Sequence, residues 1–201
     1  MNERTNRTIS NLKQNGFTVK YFDDAESAKK AILEEVSPNQ SVGFGGSVTV
    51  DKLGIYDALK EKGNSVFWHW KAEDKKKALQ DVRTSDVFFT GCNAITESGS
   101  LVNIDGTGNR LSGILFGHKQ VFMVTGVNKI TANYEEALIR LKNHACPLNA
   151  KRLGLNTPCA EIGKCTNCDS PQRMCKATLI IDRQPGGTPI TIYLIGESLG
   201  Y

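Results

Sequence analysis

The cysteines offer the most concentrated chemistry in this chain. Cys159, Cys165, Cys168 and Cys175 lie together in the run TPCAEIGKCTNCDSPQRMC. Four thiolates that close in sequence can surround one metal ion or cluster once the loop folds around it. A metal would also order a stretch too poor in apolar residues to order itself. The core is C-x2-C, with one cysteine before it and one after. That spacing is neither a standard ferredoxin pattern nor a pair of zinc knuckles, so zinc, an iron–sulfur cluster and four reduced thiols all stay open. Cys146, just before Pro147, reads as a packing residue, and Cys92, in a polar segment at a strand end, as either a reactive thiol or, more commonly for cysteine, a buried one.

Glycine-rich turns are the second source of chemistry. Gly43-Phe44-Gly45-Gly46-Ser47 follows an expected strand and precedes an expected helix. Glycine there lets the backbone turn sharply and lets an anion approach exposed amides. Ser47 and Thr49 would cap the helix or bond a ligand. The segment is neither G-x-G-x-x-G nor a P-loop, so no nucleotide-cofactor motif is present. The plainer reading is a tight strand-to-helix turn.

A longer segment, Thr90 to Leu101, gathers Asn93, Thr96, Glu97, Ser98 and Gly99 at the end of another expected strand. Glu97 is its one clear acid–base or nucleophile candidate, and a solvent-facing or capping carboxylate is the alternative. Asp105-Gly106-Thr107-Gly108 then leads to Asn109 and Arg110. The planar fork of an arginine suits a phosphate or carboxylate, although a surface salt bridge would also use it. Thr125 to Lys129 makes a fourth turn, which puts Lys129 near the same cleft.

The elements that must position these turns alternate regularly. Helices are expected over 2–15, from Asp23 or Asp24 to about Val36, over 48–62, 72–83 and 131–148. Strands are expected over 17–22, 41–44, 65–68, 86–90 and 119–125, with a turn and a strand in 98–104. Ala28, Ile32 and Val36 repeat at helical spacing, whereas FTVKYF and DVFFT are β-branched and aromatic. Such alternation calls for a parallel sheet with helices on both faces. The four turns would then share one rim, where open α/β sheets bind ligands. Residues 150–176 are cysteine-rich and irregular, and 177–184 with 189–195 read as a hairpin or a last pair of strands.

The bulk composition narrows the class. The 201 residues are 39% hydrophobic and 23% charged, with a net charge of +4. This suits a single ordinary globular α/β domain, and the charge is too small and too dispersed to call for nucleic acid. No stretch is apolar enough to cross a bilayer, and the polar N-terminus lacks the core of a signal peptide. A cytoplasmic protein with reduced cysteines is expected.

The order and spacing of three motifs carry a resemblance. GFGGSVT (43–49), NAITESGSL (93–101) and GNRLS (108–112) resemble the LUD (lactate utilisation) domain family. The resemblance implies the three-layer α/β/α sandwich of the sugar-phosphate isomerase and coenzyme A transferase superfamily. It implies a part in lactate or other organic-acid oxidation, alongside iron–sulfur or flavin subunits, and it tilts the cysteine run toward iron–sulfur. It also implies that Gly45, Gly46, Ser47, Glu97, Ser98, Gly99 and Arg110 line a cleft for a phosphorylated or carboxylated ligand. Glu97 falls near the place of the glutamate nucleophile of coenzyme A transferases. Two other readings compete: a stand-alone isomerase or transferase using Glu97, and a zinc-stabilised binding module without catalysis. The oligomeric state stays open.

Overall fold

The computed structural model describes residues 1–201. Helix α1 (Glu3–Gln14) is capped by Asn2, whose side chain accepts from the Thr5 amide at 2.9 Å. Strand β1 (Thr18–Phe22) and helix α2 (Ala25–Glu35), capped by Asp24, follow. Each cap satisfies an amide that the first helical turn leaves without a partner. Strand β2 (Val42–Phe44) then leads through the glycine turn into α3 (Val48–Lys52) and α4 (Ile55–Glu61). One helix was expected over 48–62, but Gly54 interrupts it at φ +64°, a left-handed conformation that suits glycine.

Strand β3 (Val66–Phe67), helix α5 (Lys75–Arg83) and strand β4 (Val87–Gly91) come next. The chain then leaves the main sheet through β5 (Ala94–Thr96), β6 (Leu101–Asp105) and α6 (Asn109–Leu115). It returns as β7 (Gln120–Gly126) and passes through β8 (Ile130–Thr131) into α7 (Tyr134–Arg140). A π-helical turn at Leu141–Ala145 joins α7 to α8 (Cys146–Arg152). Pro147 explains that turn, because it lacks the amide that would bond the carbonyl one helical turn back. Helix α9 (Pro158–Ile162) and strands β9 (Ala177–Ile181) and β10 (Ile190–Ile195) complete the order.

Six parallel strands form the main sheet, in the order β1-β10-β7-β4-β2-β3. Alternate side chains face opposite layers. Val87, Phe89, Phe122, Val124, Tyr193 and Ile195 join Ala28, Ile32, Val50, Ile55 and Leu59 from α2, α3 and α4. Phe88, Val121, Met123, Ile192 and Leu194 join Leu12, Val82 and Ile114 from α1, α5 and α6. Helices therefore cover both faces of the sheet, in three layers. Full burial of each valine, leucine, isoleucine, methionine or phenylalanine among them stabilises the fold by about 1.5–3 kcal/mol.

A smaller sheet, in the order β8-β5-β6-β9, lies outside the expected plan. Its Ala94, Val102 and Ile104 pack with Ala137, Leu141 and Cys146, and Cys175 leans on that cluster. The two terminal strands are present but do not form a hairpin. Strand β9 runs antiparallel to β6, whereas β10 lies parallel between β1 and β7.

Candidate functional site

A cavity of about 290 Å³ opens at the carboxyl ends of β2, β3, β4 and β7. The turn after β2 contributes Gly46, Ser47 and Thr49, that after β3 His69 and Trp70, and that after β4 Cys92 and Asn93. Lys129 enters after β7, and Asn109 and Arg110 enter from the first turn of α6. Parallel packing brings these distant turns to one rim, where ligand sites of open α/β sheets lie.

Arg110 is 9% exposed. Its guanidinium donates to the Ile104 carbonyl at 2.7 Å and to Asn93 Oδ1 at 3.1 Å. Asp105 accepts from the Arg110 amide at 3.1 Å, and its carboxylate stands 3.9 Å from Nε. Burial pulls the Arg110 pKa down, and Asp105 opposes that shift. The stem of Arg110 crosses Gly45, where a Cβ would come within 3.0 Å of it and 2.9 Å of the Phe88 ring. Gly45 thus sits behind the cavity wall and gives Arg110 its path. At Gly46 a Cβ would meet the Trp70 ring at 2.9 Å, so this glycine lets the indole lie flat across the turn. Arg152 stacks on that indole, 4.4 Å from its ring centre.

Lys129 is 4% exposed. Its Nζ donates to Thr49 Oγ1 at 3.0 Å, and no carboxylate pairs with it. The Thr49 hydroxyl donates in turn to the Leu199 carbonyl at 3.3 Å. Burial first, then the nearby Arg140 and Arg110, bring the Lys129 pKa down to about 8. Ser47 has a structural duty here as well, because its Oγ caps α3 by accepting from the Val50 amide at 3.3 Å. Burial pushes the Cys92 thiol up, which keeps it protonated beside the cations.

A family model for the LUD domain matches residues 5–195. The chain belongs to the LUD domain family. Among solved structures, a DUF162 family protein from Deinococcus radiodurans is similar at a TM-score of 0.59 and 12% identity, over 96% of this chain and 97% of that one. At that identity the likeness speaks for the fold alone. No curated protein matches the sequence. No helix of this LUD protein is long and apolar enough to cross a membrane.

The NAITESGSL motif of this LUD domain divides between two places. Asn93 stays on the cavity, where its Oδ1 also accepts from the Ile104 amide at 3.0 Å. Thr96, Glu97, Ser98 and Gly99 do not reach the cavity, contrary to a rim shared by all of them. Strand β5 carries them into the smaller sheet and onto α1. Glu97 accepts from Arg4 Nε at 2.7 Å, from Arg7 Nε at 3.0 Å and from the Arg7 terminal nitrogen. The two arginines hold its carboxyl below the usual carboxylate range, Arg7 contributing most. Thr96 Oγ1 bonds Ser98 Oγ at 2.8 Å and accepts from the Ser100 amide at 2.9 Å, forming a local turn. The Ser98 carbonyl accepts from Asn15 at 3.0 Å.

The fold brings the cysteine segment to the cleft, a juxtaposition that sequence distance conceals. Cys146 and Met174 line the cavity with Asn149, and Asn149 donates to Met174 Sδ at 3.1 Å. All six cysteines are free thiols. Burial, and then Cys175, Cys159 and Cys165, push the Cys146 thiol up to about 12. At the C-x2-C turn the Asn167 amide points to Cys165 Sγ at 3.3 Å, with Asn167 at φ +49°. Such a donor set suits a soft ion or cluster. As placed, however, no three of these groups converge closely enough to hold one.

Proposed function

We propose that this LUD protein binds a small organic anion in the cavity and serves organic-acid oxidation of the lactate-utilisation type, working with iron–sulfur or flavin subunits in the cytoplasm. Lys129 carries the reading. A lysine this buried is seldom left without a counter-charge. Around it Arg110 and Arg140 add positive charge, and Asp105 is the one acidic side chain lining the cavity. An anionic ligand supplies the missing charge, with Arg110, Lys129, Ser47, Asn93 and Asn109 available as donors and Thr49 holding the Lys129 amine. The geometry lends no support to Glu97 as the nucleophile of this cavity, because its carboxylate is engaged by α1.

Titration calorimetry with lactate, pyruvate and inorganic phosphate tests this. Binding of at least one anion is expected, and it weakens as salt is added. Lys129→Met should raise Kd by about tenfold or more, the scale of one charge-assisted hydrogen bond. Glu97→Gln should bind as the parent does. Absence of binding by all three anions, or equal binding by Lys129→Met, overturns the reading.

The redox part rests on Cys159, Cys165, Cys168 and Cys175, which we place as ligands once the segment closes on iron–sulfur or zinc. Anaerobically purified protein should then carry metal, visible by elemental analysis, and Cys165→Ser with Cys168→Ser should lose it. Metal-free protein that still binds the anion removes the metal and keeps the cleft.

A further inference from the structure

We infer that Lys129 condenses with the carbonyl group of a 2-oxo acid whose carboxylate is held by Arg110, forming a reversible imine on the enzyme. The inference rests on the anion cleft described above and assigns it a substrate class.

Of the three cations lining the cavity, Arg152 is stacked on Trp70, and the other two, Arg110 and Lys129, would be redundant if both only held a carboxylate. They differ in chemistry. Arg110 is permanently charged and its guanidinium is fixed by Asn93 and the Ile104 carbonyl, so it serves as a static clamp. Lys129 has one hydrogen-bond partner, Thr49, and no acid to keep its proton. Burial and the flanking arginines bring its pKa down to about 8, so the ammonium still predominates near pH 7 but a far larger share of neutral amine is present than for an exposed lysine. Desolvation beside other cations is a known way to make a lysine nucleophilic near neutral pH.

The Thr49 contact also orients the amine. The hydroxyl hydrogen is engaged by the Leu199 carbonyl at 3.3 Å, so Oγ1 accepts from Nζ rather than donating to it. The nitrogen lone pair is therefore not used by Thr49 and is left for a ligand. The cavity of about 290 Å³ has room for a short-chain oxo acid.

The step balances without an added oxidant or reductant. The Nζ lone pair forms the N–C bond as the carbonyl π pair moves to oxygen. One proton leaves nitrogen and one reaches that oxygen, giving a carbinolamine. The hydroxyl then leaves as water with the second nitrogen proton, and the nitrogen electron pair completes the C=N bond. Hydrolysis reverses every step. A carboxylate clamped next to an imine carbon is a 2-oxo acid arrangement, whereas a 2-hydroxy acid would bind the clamp without condensing.

The test incubates the full chain with pyruvate and sodium borohydride, then weighs the protein and maps the modified peptide. One adduct of about 72 Da is expected on Lys129, the mass of a reduced pyruvyl imine. Lactate should give none. Lys129→Arg keeps the charge and should lose the adduct, and calorimetry on the parent shows that pyruvate occupies the cleft. Trapping should accelerate up to about pH 8 and then level off. Pyruvate binding without an adduct, or labelling that Lys129→Arg leaves unchanged, overturns the imine and spares the anion cleft. No binding of any anion overturns both.

Discussion

Lys129→Met is expected to stabilise the protein by about 2 kcal/mol near pH 7 while weakening anion binding. Burial without a counter-charge lowers the folded-state pKa from 10.5 to about 8. A depression of that size costs the folded state about 3 kcal/mol whenever the lysine is charged in both states. Methionine fills similar space without charge, and the lost hydrogen bond to Thr49 returns about 1 kcal/mol of that gain. The sign with pH follows from the depressed pKa. Stability associated with Lys129 is present above its unfolded pKa of 10.5 and is lost as pH falls through about 8. The advantage of the variant should therefore be full below about pH 8 and nearly gone by about pH 10. Urea unfolding of both proteins at the two pH values measures it. A variant less stable than the parent at pH 7 would show that Lys129 is not an unsatisfied charge.

Gly99→Ala is expected to lower stability by about 3 kcal/mol, through strain and overpacking together. Gly99 has φ +86°, and a Cβ there would lie 2.7 Å from both Asn11 C and Leu12 N. Those atoms are backbone of α1 and cannot swing aside as a side chain would. Moving α1 away would draw Leu12, fully buried, out of the core and loosen the Glu97 pair with Arg4 and Arg7. Gly108→Ala is the control. It has φ +84° but nothing within 4 Å of the added carbon, so about 1 kcal/mol of strain is all it should cost. Thermal unfolding separates the two glycines. If Gly99→Ala melted like Gly108→Ala and lost anion binding instead, Gly99 would belong to the ligand site after all.

The main sheet was legible because its elements are local patterns. Ala28, Ile32 and Val36 mark a helix face, and DVFFT marks a strand buried along its whole length. Where an element depends on remote partners, the pattern is silent. Strand β5 has three residues and exists through pairing with β6 and β8. Helix α6 follows a glycine turn and contains Gly113, where a Cβ would strike the Phe88 ring at 2.9 Å, so its period is hidden. The site divides in the same way. Strand-end turns led to Ser47, Asn93, Arg110 and Lys129, because parallel topology alone puts those ends together. Glu97 was misplaced onto the same rim because the switch of sheets at β5 leaves no local mark. Trp70 with Arg152, and Cys146 with the cysteine segment, meet only through the tertiary fold.

The position of β10 has a consequence for how the molecule assembles. It is the last strand in sequence, yet it is wedged between β1 and β7 and buried along its whole length. Until it arrives, β1 has no strand partner, and β7 presents an open hydrogen-bonding edge on that side. The amino-terminal portion emerging from a ribosome therefore cannot close its sheet, and completion waits on a contact between the two ends of the fold. Such long-range closure slows folding and leaves an exposed edge in the meantime. The half of the sheet running β7-β4-β2-β3 can assemble first. The β1 and α1 unit, with the Glu97 and Gly99 docking that depends on it, is added when the final strand threads the gap.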